Sequence, residues 1–172
     1  MKIRNGFVTN SSSSSFIVAF NNKSTIENDI DEILSRYTEE NFDTSYFRCT
    51  FEDFIRNVKS VLMCSIKRDV ISAKELRKIL TEEFSHVAKW KYYYDTSYFT
   101  SKNGKEYLQS DEYKKLSNDF VKKHVSEIMK KLEGKSYIVY TSFSDNDGAL
   151  GSFMEHDLMP YAKNTVHSFN HH

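Results

Sequence analysis

No stretch of this chain is apolar for the roughly 20 residues needed to cross a bilayer. Its first residues also lack the apolar core of about 7–15 residues that marks a signal peptide. A soluble, cytoplasmic protein with no membrane partner is therefore expected. Cysteine is scarce too: Cys49 and Cys64 are too few for a disulfide framework and are not spaced as a C-x-x-C metal pair, so reduced, buried thiols are expected. Lys plus Arg equals Asp plus Glu at 24 each, which leaves no overall field to hold nucleic acid or acidic lipid; nucleic acid is not expected as the dominant partner. Neither phosphate-binding glycine pattern, G-x-x-x-x-G-K-[ST] or G-x-G-x-x-G, occurs, and no H-E-x-x-H pair suggests zinc. Glycine (5) and proline (1) are few while aromatics reach 15%. With abundant Lys, Asn and Ile, that mix matches AT-rich coding and carries no functional weight.

What is present organises into one domain, residues 1–172, long enough to bury a core without staples, with residues 164–172 as a candidate loose tail. Four segments repeat apolar residues at helical spacing. Ser24-x-x-Glu27 reads as a capping box before Ile26, Ile30, Ile33 and Leu34, and Thr50 as a cap before a helix from Phe51 to about Ser65. Ser72-x-x-Glu75 opens a longer helix whose stripe runs through Leu76, Leu80, Phe84, Val87, Trp90 and Tyr94. Ser110 opens the last, with Tyr113, Leu116, Phe120, His124, Ile128 and Leu132 inward and Gly134 as its stop. Phe16–Phe20 and Tyr137–Phe143 read as strands, so the fold expected is α+β or α/β: a small sheet of amino- and carboxyl-terminal strands covered by about four helices. A third strand would come from residues 3–8 or 149–155.

The most distinctive segment is Gly6-Phe7-Val8-Thr9-Asn10-Ser11-Ser12-Ser13-Ser14-Ser15-Phe16, five serines set directly against a strand. Three readings of Asn10, Ser11, Ser12, Ser13, Ser14 and Ser15 stand open. They form a turn whose hydroxyls and N–H groups bind a phosphate or carboxylate; they carry a modification; or they begin the strand and serve their own loop. The string resembles the opening G-F-V-[S/T]-N-S-S-S-S-S-F of a scattered group of uncharacterised bacterial and bacteriophage proteins. That resemblance implies a phage-related or mobile-element origin and no particular activity.

Ser144-Asp145-Asn146-Asp147-Gly148 follows the second strand, with Glu155, His156 and Asp157 close behind. Carboxylates beyond a strand's carboxyl end suit a hard divalent cation such as Mg²⁺, and Asp145, Asp147 and Glu155 are the candidate ligands. An EF-hand is excluded, because placing Gly148 at its sixth position puts Phe143 and Met154 where acidic ligands belong. His156 is a candidate acid–base group oriented by a neighbouring carboxylate. The alternative reading of Asp145–Gly148 is a plain turn, with residues 149–154 returning as a hairpin partner.

The pentapeptide Asp-Thr-Ser-Tyr-Phe occurs at 43–47 and again at 95–99. Duplication of a helix–loop–helix unit would make the two loops alike. Trp90 with Lys89, Lys91 and Tyr92–Tyr94 mixes cations and aromatics as single-strand platforms do, but helical spacing explains Trp90 and Tyr94 as core. Two functions follow. The first binds a phosphorylated or nucleotide-like ligand, with Mg²⁺, between Asn10–Ser15 and Asp145–Asp147, which requires the two strands to be antiparallel or the Ser loop to fold back. The alternative is a non-enzymatic protein that docks onto and modulates a host protein through Tyr46, Phe47, Tyr98 and Phe99.

Overall fold

The computed structural model describes residues 13–94 and 104–171. In chain order it shows β1 (Ser13–Phe20), α1 (Ile26–Leu34), α2 (Thr44–Phe47), α3 (Phe51–Arg68), α4 (Ala73–Lys89), α5 (Gly104–Gln109), α6 (Asp111–Lys131), β2 (Tyr137–Ser144), α7 (Gly148–Phe153) and β3 (Thr165–His171). The fold is α+β, with a three-stranded antiparallel sheet in the order β2-β1-β3. Residues 164–172, read from sequence as a candidate loose tail, thus hold the third strand. Residues 149–155 are helical, not a strand or hairpin partner. Residues 3–8 lie outside the described residues.

The chain divides into two compact units, one built from residues up to Ile71 and from Gly134 onward, the other from Ser72–Glu133. In the first, β1 is central, as its unbroken apolar run Phe16–Phe20 demands, and every one of those residues is buried. Side chains alternate along it, so Ser14, Phe16, Val18 and Phe20 share a face with Phe143, Thr141, Val139 and Tyr137 of β2. That face meets Ile30 and Ile33 of α1, Phe54, Val58 and Leu62 of α3, and Phe153, Met154 and Leu158. Each fully buried Phe or Ile contributes about 1.5–3 kcal/mol.

Local signals explain most helix starts. Thr50 Oγ1 accepts from Asp53 N, as expected, whereas the Ser24 capping box does not form. Asn22 takes the capping role instead, accepting from Thr25 N through Oδ1 and leaving Ser24 Oγ bonded to that same oxygen. Ser24 cannot cap because it already lies inside the 3-10 turn Lys23–Thr25, whereas Asn22, in extended backbone just before that turn, is at the capping position. Cys64 is exposed and Cys49 half-buried, so neither is the fully buried thiol expected.

In the second unit the Ser72/Glu75 capping box is complete, and Ser110 caps α6. Leu76, Leu80, Phe84 and Ala88 of α4 and Val125 and Ile128 of α6 form the buried stripes. The stripe does not reach Trp90. The helix passes from α to π hydrogen bonding over Trp90–Tyr94, which changes its angular phase; Tyr93 turns inward and Trp90 is 66% exposed, the reverse of the expectation. Val87 and Leu116 are also exposed. His124 is half-buried, stacked on Phe84, with Nδ1 3.3 Å from Glu127 Oε2.

Candidate functional site

The end of the sheet where β1 begins and β2 finishes brings together groups more than a hundred residues apart. Because the strands are antiparallel, Ser13 lies opposite Ser144 and Ser14 opposite Phe143, while β3 sets Asn170 on the other side of Ser14. The serines at 13–15 are strand residues, as the third reading has it, but the Ser14 hydroxyl reaches Glu155 and Asn170 and not its own loop; Ser14 and Ser15 are buried. Their hydroxyls are therefore not presented to a ligand as a turn would present them. Asn10, Ser11 and Ser12 lie outside the described residues.

Beyond Ser144 the chain makes a single 3-10 turn, Asp145–Asp147, started by Ser144 Oγ accepting from Asn146 N. Gly148 follows at φ 76, a left-handed conformation that glycine adopts without strain and that turns the chain into α7. Gly151 then packs directly on the turn: a β-carbon there would lie 2.3 Å from Ser144 O and 2.6 Å from Asp147 Cβ. This close approach folds α7 back over the end of β2. The helix continues as a π turn over Met154–Leu158, closed by Met159 N donating to Met154 O. Residues 155 and 156 are thereby carried above Asp145.

Three aromatic contacts and one hydrogen bond clamp this segment. Phe153 meets Phe54 at 4.8 Å, Tyr37 at 5.2 Å and Phe47 at 6.1 Å between ring centroids. Tyr37 Oη donates to Asp157 O at 2.8 Å. Burial, reinforced by the Asp157 charge, pushes the Tyr37 phenol up to about 12. Asp157 itself is half-buried, and desolvation raises its carboxyl above the ordinary range, partly offset by His156.

Asp145, Glu155 and His156 each direct a donor atom into one small volume, all within 4.8 Å of one another. His156 Nε2 is 2.8 Å from Asp145 Oδ1 and 3.6 Å from Glu155 Oε2. An ionised Asp145 only accepts, so Nε2 carries the proton in that pair. The Glu155 side chain has no exposed surface, Asp145 keeps 17% and His156 42%, so the cluster opens to solvent on the histidine side. Below it, Ser14 Oγ donates to Glu155 Oε1 at 2.8 Å and lies 3.1 Å from Asn170 Oδ1. One hydroxyl proton serves one acceptor, so the second contact is satisfied when the Asn170 amide turns its NH₂ toward Ser14.

Of the residues singled out from sequence, Asp145, Glu155 and His156 thus meet. Asp147 does not join them; it is exposed and occupies the position before α7, its β-carbon against Gly151. Tyr46 is half-buried, and Phe47 packs at 4.4 Å on Phe54 and at 5.0 Å, stacked, on Phe42. Phe47 is half-buried and packs its ring against the core, so it is not the fully exposed docking anchor expected. Tyr98 and Phe99, with the second pentapeptide, lie outside the described residues. Sequence reading missed Asn170 and Gly151. Thr165–His171 has no two-residue apolar alternation, its apolar Val166 and Phe169 lying three apart, so no local signal marked the strand that delivers Asn170.

With two carboxylates, one imidazole and an opening on one side, the arrangement can hold a divalent cation or orient His156 as an acid–base group. No helix among the described residues is long and apolar enough to cross a membrane. Comparison with protein-family models, curated proteins and solved structures finds no match.

Proposed function

We propose that this sheet end binds a phosphorylated or nucleotide-like small ligand through a divalent cation held by Asp145, Glu155 and His156. The supporting observation is the antiparallel register that sets Ser13 opposite Ser144, because it brings the end of the serine run and the acidic turn to one edge. A phosphate approaching two carboxylates directly is repelled, at about 4 kcal/mol for unit charges 4 Å apart near a protein surface. A cation between them reverses that sign and bridges the two. His156, on the open side, gives its Nε2 to that cation in place of its hydrogen bond to Asp145, so it serves as a ligand and not as an acid–base group while the cation is bound.

Thermal unfolding of the tag-free chain against Mg²⁺, Mn²⁺, Ca²⁺ and Zn²⁺, each with and without nucleotides or pyrophosphate, tests this reading. Binding to the native state raises the midpoint by mass action. A shift seen with metal and phosphorylated compound together, and lost in Asp145→Asn, is the expected result. A panel that stays flat at saturating concentrations overturns it.

A further inference from the structure

The donor set itself narrows the cation, and this inference rests on the location of the proposed ligand site without requiring the ligand. We infer that Asp145, Glu155 and His156 form a mononuclear centre for a first-row transition ion, binding Zn²⁺ more tightly than Mn²⁺ and Mn²⁺ more tightly than Mg²⁺.

Three observations carry this. First, the cluster contains an imidazole nitrogen as well as carboxylate oxygens. Imidazole suits Zn²⁺, Fe²⁺ and Ni²⁺, whereas Mg²⁺ keeps to oxygen and sheds its water reluctantly. Second, the spacing fits one ion. Ligand atoms about 2.05 Å from a metal lie about 2.9 Å apart in an octahedron and about 3.4 Å apart in a tetrahedron. The two pairs that involve His156, 2.8 Å and 3.6 Å, bracket that range, and all three ligand atoms lie within 4.8 Å of one another. Third, the most buried ligand is held from behind: Ser14 grips Glu155 Oε1, leaving Oε2 on the His156 side. Outer contacts of this type fix the orientation of a ligating carboxylate.

The three protein ligands lie on one side, and the solvent-facing side beside His156 leaves further coordination positions for water or a phosphate oxygen. Metal entry would require Nε2 of His156 to give up its proton, to Nδ1 in a neutral ring or to solvent from an imidazolium, and the hydrogen bond to Asp145 would give way to ligation by both side chains. The carboxyl-terminal histidines 171 and 172 offer a competing, adventitious site and have to be controlled.

The test titrates the metal-free chain with Co²⁺, whose visible absorption reports nitrogen and oxygen coordination, and then displaces it with Zn²⁺, Mn²⁺ and Mg²⁺ in the absence of any phosphorylated compound. One ion per chain is expected, displaced in that order of strength, with Asp145→Asn and His156→Ala each weakening Co²⁺ binding at least about tenfold. Both substitutions are at the open side, and circular dichroism verifies that the variants fold. Substitution of His171 and His172 by alanine should leave the spectrum unchanged. Absence of binding, preference for Mg²⁺, or binding abolished by the 171/172 substitutions but indifferent to Asp145→Asn and His156→Ala would each overturn the inference. A metal that binds while nucleotides and pyrophosphate do not would refute the ligand reading and leave the metal centre standing; phosphorylated compounds that bind where no metal does would remove the metal centre and, with it, the cation-bridged form of the ligand reading.

Discussion

The hydroxyl of Ser14 donates to the buried carboxylate of Glu155 at 2.8 Å, across 141 residues of chain. It joins the central strand of the sheet to the π turn that carries His156, and so ties the first distinctive motif of the sequence to the last. A carboxylate without exposed surface needs such donors, since burying one unpaired costs several kcal/mol.

Ser14→Ala therefore removes more than a small side chain. It should destabilise the protein by about 1–3 kcal/mol, the range for depriving a buried polar group of its partner. Urea unfolding measures this. Ser14→Cys, with a weaker donor of similar shape, should fall between alanine and wild type.

Gly151 is required for a different reason. Its missing side chain lets α7 press against Ser144 O, so Gly151→Ala must lift the helix off the end of β2. A cost of about 1–3 kcal/mol from overpacking is expected, together with loss of whatever the Asp145–His156 pair binds. The same substitution at Gly148 meets open space and is strained only through its backbone, so it should cost stability while sparing the packing of α7 on the turn.

Tyr37 gives an alkaline signature. Its phenol is raised to about 12 in the fold against an ordinary 10, so the native state favours the neutral form. The contribution is whole below pH 10 and is lost as pH climbs toward 12. A spectrophotometric titration should show an ionisation step near pH 12, and Tyr37→Phe should remove both that step and the part of the alkaline destabilisation it causes.

Asp69 gives the opposite slope. Arg68 donates to both its carboxylate oxygens at 2.6 and 2.9 Å, and Thr141 Oγ1 donates at 2.8 Å, tying the end of α3 to β2. The Arg68 hydrogen bond above all, with that from Thr141, holds the carboxyl below its ordinary 3.8, and burial opposes them. A depressed value means stability that is full above pH 3.8 and fades as pH falls through the folded value. Asp69→Asn should cost about 1–2 kcal/mol at neutral pH, and its difference from wild type should shrink in acid. Denaturation curves at pH 7 and pH 3 decide it.

How far the sequence carried these conclusions depends on what each one rests upon. Strands Phe16–Phe20 and Tyr137–Phe143 and the helices begun by Thr50, Ser72 and Ser110 were legible because local periodicity and caps determine them. Trp90 was misread because a π turn changes the helical phase without a sequence mark that periodicity can detect. Strand β3 was missed because Thr165–His171 is mostly polar and gains its place only by pairing with β1. The grouping of Asp145 with Glu155 and His156 depended on a close approach at Gly151 between two backbones. Asp147, two residues on and identical in chemistry to Asp145, falls on the outside of the turn, a distinction composition does not contain.

That distinction supplies the most direct test of the site. Calorimetric titration of ATP in the presence of Mn²⁺ should show binding by the wild-type chain and by Asp147→Asn alike, and binding at least about tenfold weaker in Asp145→Asn. Equal affinity in all three chains, or no heat in any, would contradict a ligand site at the meeting of Ser13 and Ser144.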